Sequence, residues 1–205
     1  NGAKDMTYAT LQDDIAAFID NQDIADKIPT FIRLCESRLN RNIRTRDMEF
    51  RANAQIDRQF STLPLDFLEM RNIQINSNPV TALKYVTPQE ADRIRAAQLQ
   101  GKPQFFSVVA NRLELIPVPT ETTSVEMVYF AKIPALSDSA TSNWLLERHY
   151  DVYLYGALVQ AALYLKDDPT TWATLFDSAI SEIELEDERS QFHGTTPQVR
   201  GITIG

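Results

Sequence analysis

The stretch from Val152 to Leu165 runs fourteen residues without a charged side chain, and Gln160 is its one amide. On a helix at about 100° per residue, its apolar side chains leave no broad polar face, and Trp144, Leu146 and Tyr150 just before it extend the pattern. Such a helix must be covered around most of its circumference, by its own domain or by neighbouring subunits. The sequence therefore points toward a helical core and toward assembly, and away from a small soluble catalyst.

Length separates this helix from a membrane span. Crossing a bilayer takes roughly 20 apolar residues, whereas about 10–14 is the range of a buried core helix, and Lys166-Asp167-Asp168 closes the run with charge. The N-terminus has no basic region followed by an apolar run, so no signal peptide is expected. Asn1 to Asp5 read as an appended leader ahead of a natural start at Met6.

The 205 residues, 43% of them hydrophobic, suffice for one core, or for one core carrying an inserted module. With Cys35 as the single cysteine, no internal disulfide forms, which fits a reducing compartment. A net charge of −8 argues against general affinity for nucleic acid, which needs Lys and Arg to displace phosphate counterions. The charge is unevenly spread. Phe31 to Arg51 holds six arginines against Glu36, Asp47 and Glu49, net +3; Lys166 to Ser190 holds eight acids against Lys166 and Arg189, net −6. Two solvated faces of opposite sign account for this, and so does matching of opposite signs between neighbouring copies.

Along the chain, Thr10 is placed to cap a helix running to about Asp20, with Leu11, Ile15, Phe18 and Ile19 on one face. Pro29 opens a second helix to about Thr45. Its apolar arc is Ile28, Phe31, Ile32, Cys35, Leu39 and Ile43, and Arg33, Arg38, Arg41 and Arg44 take the other half, where Glu36 dilutes their field. Leu34 falls among the arginines, where a contact beyond the monomer core would explain it. The period then changes to 2: Met48, Phe50, Ala52, Ala54 and Ile56 alternate with polar residues as in a half-buried strand. Further strands are expected over Met70–Ile75, Val80–Val86 and Val125–Ala131, with a hairpin of Phe105–Ala110 and Arg112–Ile116 around Asn111. Thr87-Pro88-Gln89-Glu90 is a capping box that starts a short helix to about Leu99.

Ile133 to Ser142, small and polar, leads back to helix: first the apolar one, with His149 in its opening turns. Asp168 and Pro169 then start a last helix whose core stripe is Trp172, Leu175, Phe176, Ala179, Ile180 and Ile183. Two helices, about six strands with one helix, then two long helices make an α+β fold. The N- and C-terminal helices form a bundle, and a small antiparallel β module is inserted between them. The expected divisions are 7–46 and 143–193 for the bundle, 47–136 for the module, and 194–205 for an extended tail.

No catalytic constellation emerges, and no cofactor or metal is expected. Cys35 lies on an apolar arc with no histidine near it, the pattern of a buried structural thiol. His149 and His193 stand far apart, without carboxylate or cysteine partners at metal-ligand spacing. The acids from Glu182 to Glu188 spread around their helix, as a solvated end or an ionic contact would. Six glycines supply neither a phosphate-cradling loop nor a nucleophile elbow. The four arginines of the second helix could contact phosphates, though no aromatic is interleaved among them.

Three elements together resemble the head–tail adaptor (connector) proteins of tailed bacteriophages. They are Leu63-Pro64-Leu65-Asp66-Phe67-Leu68-Glu69-Met70-Arg71, Leu113-Glu114-Leu115-Ile116-Pro117, and Tyr155-Gly156-Ala157-Leu158 through Tyr164-Leu165-Lys166-Asp167-Asp168. Phe176, Ala179 and Asp187-Glu188-Arg189 fit the same pattern, so the likeness covers most of Thr7 to Gly194. The resemblance implies a non-enzymatic virion protein of the neck, assembled in the host cytoplasm. It implies a homo-oligomeric ring, commonly of twelve, that docks beneath the portal protein. That ring extends the DNA channel, touches passing DNA transiently, and offers a platform to the tail or to further neck proteins. A monomer in the free state is compatible with this, and no membrane is involved.

The subunit-interface candidates are then Arg33, Arg38, Arg41, Arg44, Glu182 and Glu186. The tail is the natural docking arm for the portal, through Val199, Arg200, Ile202 and Ile204, able to add as a strand to a partner sheet. The competing reading is a DNA-binding module using the arginine-rich second helix; an acid-dependent nuclease comes third.

Overall fold

The computed structural model describes residues 6–19 and 22–192. The expected docking tail, with Val199, Arg200, Ile202 and Ile204, and His193 lie outside the described residues. In chain order the elements are α1 (Tyr8–Ile19), a 3-10 turn (Gln22–Lys27), α2 (Ile28–Asn42), β1 (Glu49–Ile56), β2 (Phe60–Thr62), β3 (Phe67–Ile75), β4 (Thr81–Ala82), β5 (Lys84–Tyr85), α3 (Pro88–Ala97), β6 (Phe105–Val109), β7 (Arg112–Ile116), β8 (Thr123–Ala131), α4 (Trp144–Arg148), α5 (Tyr150–Leu165) and α6 (Thr170–Phe192). The chain is α+β and divides into two compact units: Met48–Lys132, which holds every strand among the described residues, and the segments before and after it, which hold the helices other than α3.

In the helical unit, α5 is packed by α1, α2, α4 and α6. Val152, Tyr153, Leu154, Ala157, Leu158, Val159, Ala161 and Ala162 are all buried, each large aliphatic among them contributing about 1.5–3 kcal/mol. Of the two sources of cover expected for the apolar helix, its own chain supplies most, while Leu163 and Tyr164 near its end stay 56% and 53% exposed. Gly156 lets the packing close. A Cβ there would stand 2.3 Å from Cys35 Sγ on α2 and 2.7 Å from the Phe176 ring on α6, so both helices reach the α5 backbone at one point.

The helix ends are made by local chemistry. Thr7, not Thr10, starts α1, its Oγ1 accepting from Thr10 N at 3.2 Å. Pro29 lies in the first turn of α2, as its missing N–H favours. The helix expected through His149 is broken there: α4 ends at Arg148 and α5 restarts at Tyr150. Lys166, in the left-handed region (φ 63°), ends α5, with Asp167 N donating to Ala162 O at 2.9 Å, as in a Schellman-type stop. Asp168 Oδ1 then accepts from Thr170 N at 2.9 Å and caps α6. Three residues expected on buried faces are instead exposed: Phe18, Leu175 and, on β1, Phe50. Phe18 meets Trp172 edge-on at the rim, and Leu175 lies beside the true α6 seam of Phe176, Ala179 and Ile183.

The second unit has eight strands among the described residues rather than about six, in two four-stranded sheets ordered β1-β8-β3-β4 and β2-β7-β6-β5. The expected strand Val80–Val86 divides at Leu83, β4 joining one sheet and β5 the other, where it runs parallel to β6. One core draws on both sheets, with Ile56, Ile73, Ile75, Val125 and Met127 from the first and Phe106, Leu113 and Leu115 from the second. The β6–β7 hairpin turns through Ala110 and Asn111, both at positive φ, as a two-residue turn of matching twist requires. Thr87 Oγ1 accepts from Glu90 N at the start of α3.

The Leu63–Phe67 element is a pinned turn. Phe67 N donates to Pro64 O at 3.1 Å, Lys132 N donates to Asp66 O at 2.7 Å, and the Tyr129 hydroxyl donates to Asp66 Oδ1 at 3.2 Å. Leu65 stands at its tip, 89% exposed.

Candidate functional site

The described candidate residues lie on α2, just past its end at Arg44, and on α6; these two helices flank α5. The apolar arc of α2 faces inward as its periodicity dictates: Ile28, Phe31, Ile32, Cys35 and Leu39 are buried. Arg33, Leu34, Ser37 and Arg41 are exposed, and Arg38 and Arg44 are half-buried. Arg38 Nη2 donates to Asp177 Oδ1 on α6 at 3.2 Å, and its guanidinium lies 4.6 Å from the centre of the Phe176 ring. Arg44 Nη1 donates to the carbonyls of Asn40 and Ile43, closing the C-terminal end of its own helix. Arg33 reaches Thr30 and Arg41 reaches Ser37, both within α2.

On α6, Glu182 is exposed, while Glu186 Oε2 sits 3.5 Å from His149 Nε2. Next to it, Asp187 Oδ1 accepts from Arg46 N at 2.9 Å, and Arg46 Nη1 donates to Ser190 Oγ at 2.9 Å. Arg148 donates to Asp47 Oδ2 at 2.6 Å. The structure thus brings Arg38 and Glu186 to partners inside the same chain and leaves Arg33, Arg41 and Glu182 facing outward.

Glu36 does not dilute the arginine face. It is buried, its Oε1 accepting from Leu136 N at 2.8 Å and from the Tyr153 hydroxyl at 3.3 Å. Burial pushes its carboxyl above the ordinary value, because removing a charge from water favours the neutral acid. Asn143 completes the group. Its Oδ1 caps α4 by accepting from Leu146 N, and its Nδ2 donates to Pro134 O and to the Tyr153 oxygen. With Asn40 Oδ1 accepting from Ile133 N, this network binds the returning segment to α2 and α5. Ile133 and Leu136 are buried there, so the segment expected to be a small, polar linker is part of the core. Glu36 carried a signal that helical spacing alone could show, for it lies four residues after Ile32 and seven before Ile43.

Cys35 is buried and donates weakly to Val152 O; burial pushes its thiol up, so it stays protonated. Among the described residues no group of three or more His, Cys, Asp or Glu could hold a metal ion, and no helix is long and apolar enough to cross a membrane.

The features on the page are two outward stripes of opposite sign, a helical core closed within its own chain, and a separate β unit carrying an exposed apolar tip. The profile of the SU10 adaptor protein family matches residues 6–201, and the chain belongs to that family. It has the role of a phage adaptor, a virion structural component that contacts other virion components. None of the curated proteins compared matches the chain.

Proposed function

We propose that this adaptor works at the head–tail junction. Copies dock as a ring, commonly of twelve, beneath the portal protein, extend the DNA channel, and present a platform to the tail or to the next neck protein. The observation that carries this is the family match across 6–201; the oppositely charged outward stripes of α2 and α6 support it, as does a net charge of −8. A conduit that gripped phosphate strongly would slow DNA passage, and an acidic chain avoids that. Residues 194–205 serve as the portal-docking arm, with Val199, Ile202 and Ile204 adding to a partner sheet. The reading is tested by mixing the full chain with purified portal and imaging the product. An added ring beneath the portal is expected, and portal particles without added density overturn it. A chain ending at His193 should fold but lose portal docking; unchanged docking removes the arm from the account.

The second reading, DNA binding through Arg33, Arg38, Arg41 and Arg44, is weakened by two observations. Arg38 is held by Asp177 and Phe176, and Arg44 is turned onto its own helix end. Tight, salt-sensitive DNA binding by the isolated chain in a gel shift at low salt would favour it.

A further inference from the structure

The exposed faces of α2 and α6 carry the same spacing of matched residues. On α2 it is Leu34, Ser37 and Arg41; on α6 it is Leu175, Ser178 and Glu182, with Leu185 following. All seven are exposed, including three leucines at 47%, 38% and 49%. Three-and-four spacing puts each set on one stripe of its helix. The α6 stripe lies well round the helix from Asp177, the residue that meets α2 in the same chain, at about 100° per residue. It therefore faces away from the chain's own basic helix.

We infer that the α2 stripe of one copy docks on the α6 stripe of a second copy, Leu34 against Leu175, Ser37 against Ser178 and Arg41 against Glu182. This rests on the ring proposed above and names the surface that builds it. The occupant is chosen by charge: a helix that carries Arg33, Arg38 and Arg41 against the buried Glu36 meets one that carries six acids against Arg189, with small serines between the apolar and ionic contacts so that the helices approach closely. Charge complementarity of this kind fixes register and excludes like-charged pairings. Different patches meet, so the contact is heterologous, and such contacts build rings or open filaments.

The chain's own geometry favours the ring over an open filament. Within one copy, Arg38 meets Asp177 and Arg46 meets Asp187, so α2 and α6 run in the same direction. These contacts place Leu34 level with Leu175 to within about 3 Å, taking the helical rise of about 1.5 Å per residue. Pairing the same two residues between copies then adds no more than about 3 Å of rise per copy, an offset small enough for a tilt of the helices to absorb in a closed ring.

The test uses full-length chains carrying Ser37→Cys or Ser178→Cys, mixed in equal amounts and oxidised, both free and on the portal. The expected product is the 37–178 cross-link, in excess over 37–37 and 178–178, and a chain with both substitutions gives a ladder ending in a closed ring. Arg41→Glu and Glu182→Arg should each lower ring formation by about tenfold or more, and the two together should restore it. Predominant 37–37 or 178–178 products overturn the inference. So does the absence of cross-links in rings that imaging shows to have formed, an outcome that leaves the adaptor reading standing. Failure to form any ring overturns both.

Discussion

The Glu36 carboxylate accepts a hydrogen bond from the Tyr153 hydroxyl at 3.3 Å, α2 to α5, inside the helical core. The same oxygen accepts from Leu136 N at 2.8 Å. Because burial raises the Glu36 pKa from its ordinary 4.5, the folded chain holds that proton more tightly than the unfolded chain does. Its contribution to stability is therefore fully present below about pH 4.5 and declines as pH rises through the folded value. Glu36→Gln keeps an acceptor for Leu136 N and cannot ionise. Denaturant titrations across this range should show a flatter pH dependence for Glu36→Gln, with stability near pH 7 equal to or above the parent's. Glu36→Ala should lose about 1–3 kcal/mol, since it leaves a buried N–H without its partner. An unchanged pH slope in Glu36→Gln would remove Glu36 as its source.

Gly156 sits where α2 and α6 both touch α5. A methyl group there would overlap Cys35 Sγ and the Phe176 ring. Gly156→Ala should therefore destabilise the chain by about 1–3 kcal/mol by overpacking, in spite of alanine's better helix propensity. A melting temperature equal to or above the parent's would show that the three helices are more loosely joined than described.

Asn143 works in both directions, as an acceptor at the α4 cap and as a donor to Pro134 O and Tyr153. Asn143→Asp keeps the cap but places an acceptor against two oxygens. Asn143→Ala loses the cap as well, worth about 0.5–2 kcal/mol by itself. Both variants should melt below the parent, and equal stability of Asn143→Asp with the parent would argue against the donor contacts.

In the β unit, buried Glu114 receives Gln59 Nε2 at 2.9 Å and lies 3.3 Å from Arg95 Nη1 on α3. Removing the arginine alone strands a buried carboxylate, whereas removing both ends does not. A double-mutant cycle with Arg95→Met and Glu114→Leu should give a coupling of about 0.5–3 kcal/mol, with the double variant more stable than the Arg95→Met single. Additive losses would mean that the pair does not hold α3 to its sheet.

Where a feature was set by neighbours in sequence, it could be read before the fold was known. The Thr87 cap, Pro29 in the first turn of α2, the Asn111 hairpin and the inward arc of α2 all follow from local rules, and the structure reproduces them. The β2, β4 and β5 strands are two or three residues long, too short for any period to show, and only their sheet partners define them. The break at His149 was hidden because helical spacing carries Leu146, Tyr150 and Tyr153 across it, with no glycine or proline there to mark it. What covers α5 was left open between its own domain and neighbouring subunits. Periodicity says that a helix must be buried but not by what, and Gly156, Cys35 and Phe176 show that this chain buries most of it by itself. Of the candidate residues, Leu34 stood out because an apolar side chain broke a basic face. Leu175 was hidden because the two adjacent seams of α6 both carry leucine-compatible spacing, and only packing tells which one is inside.

The location of the protein in its particle tests the central claim most directly. In a cryo-EM reconstruction of the parent virion, this chain should form a ring between the portal vertex and the tail, with α2 of each copy against α6 of the next. Density for the chain elsewhere in the particle, or a neck complete without it, would contradict the account.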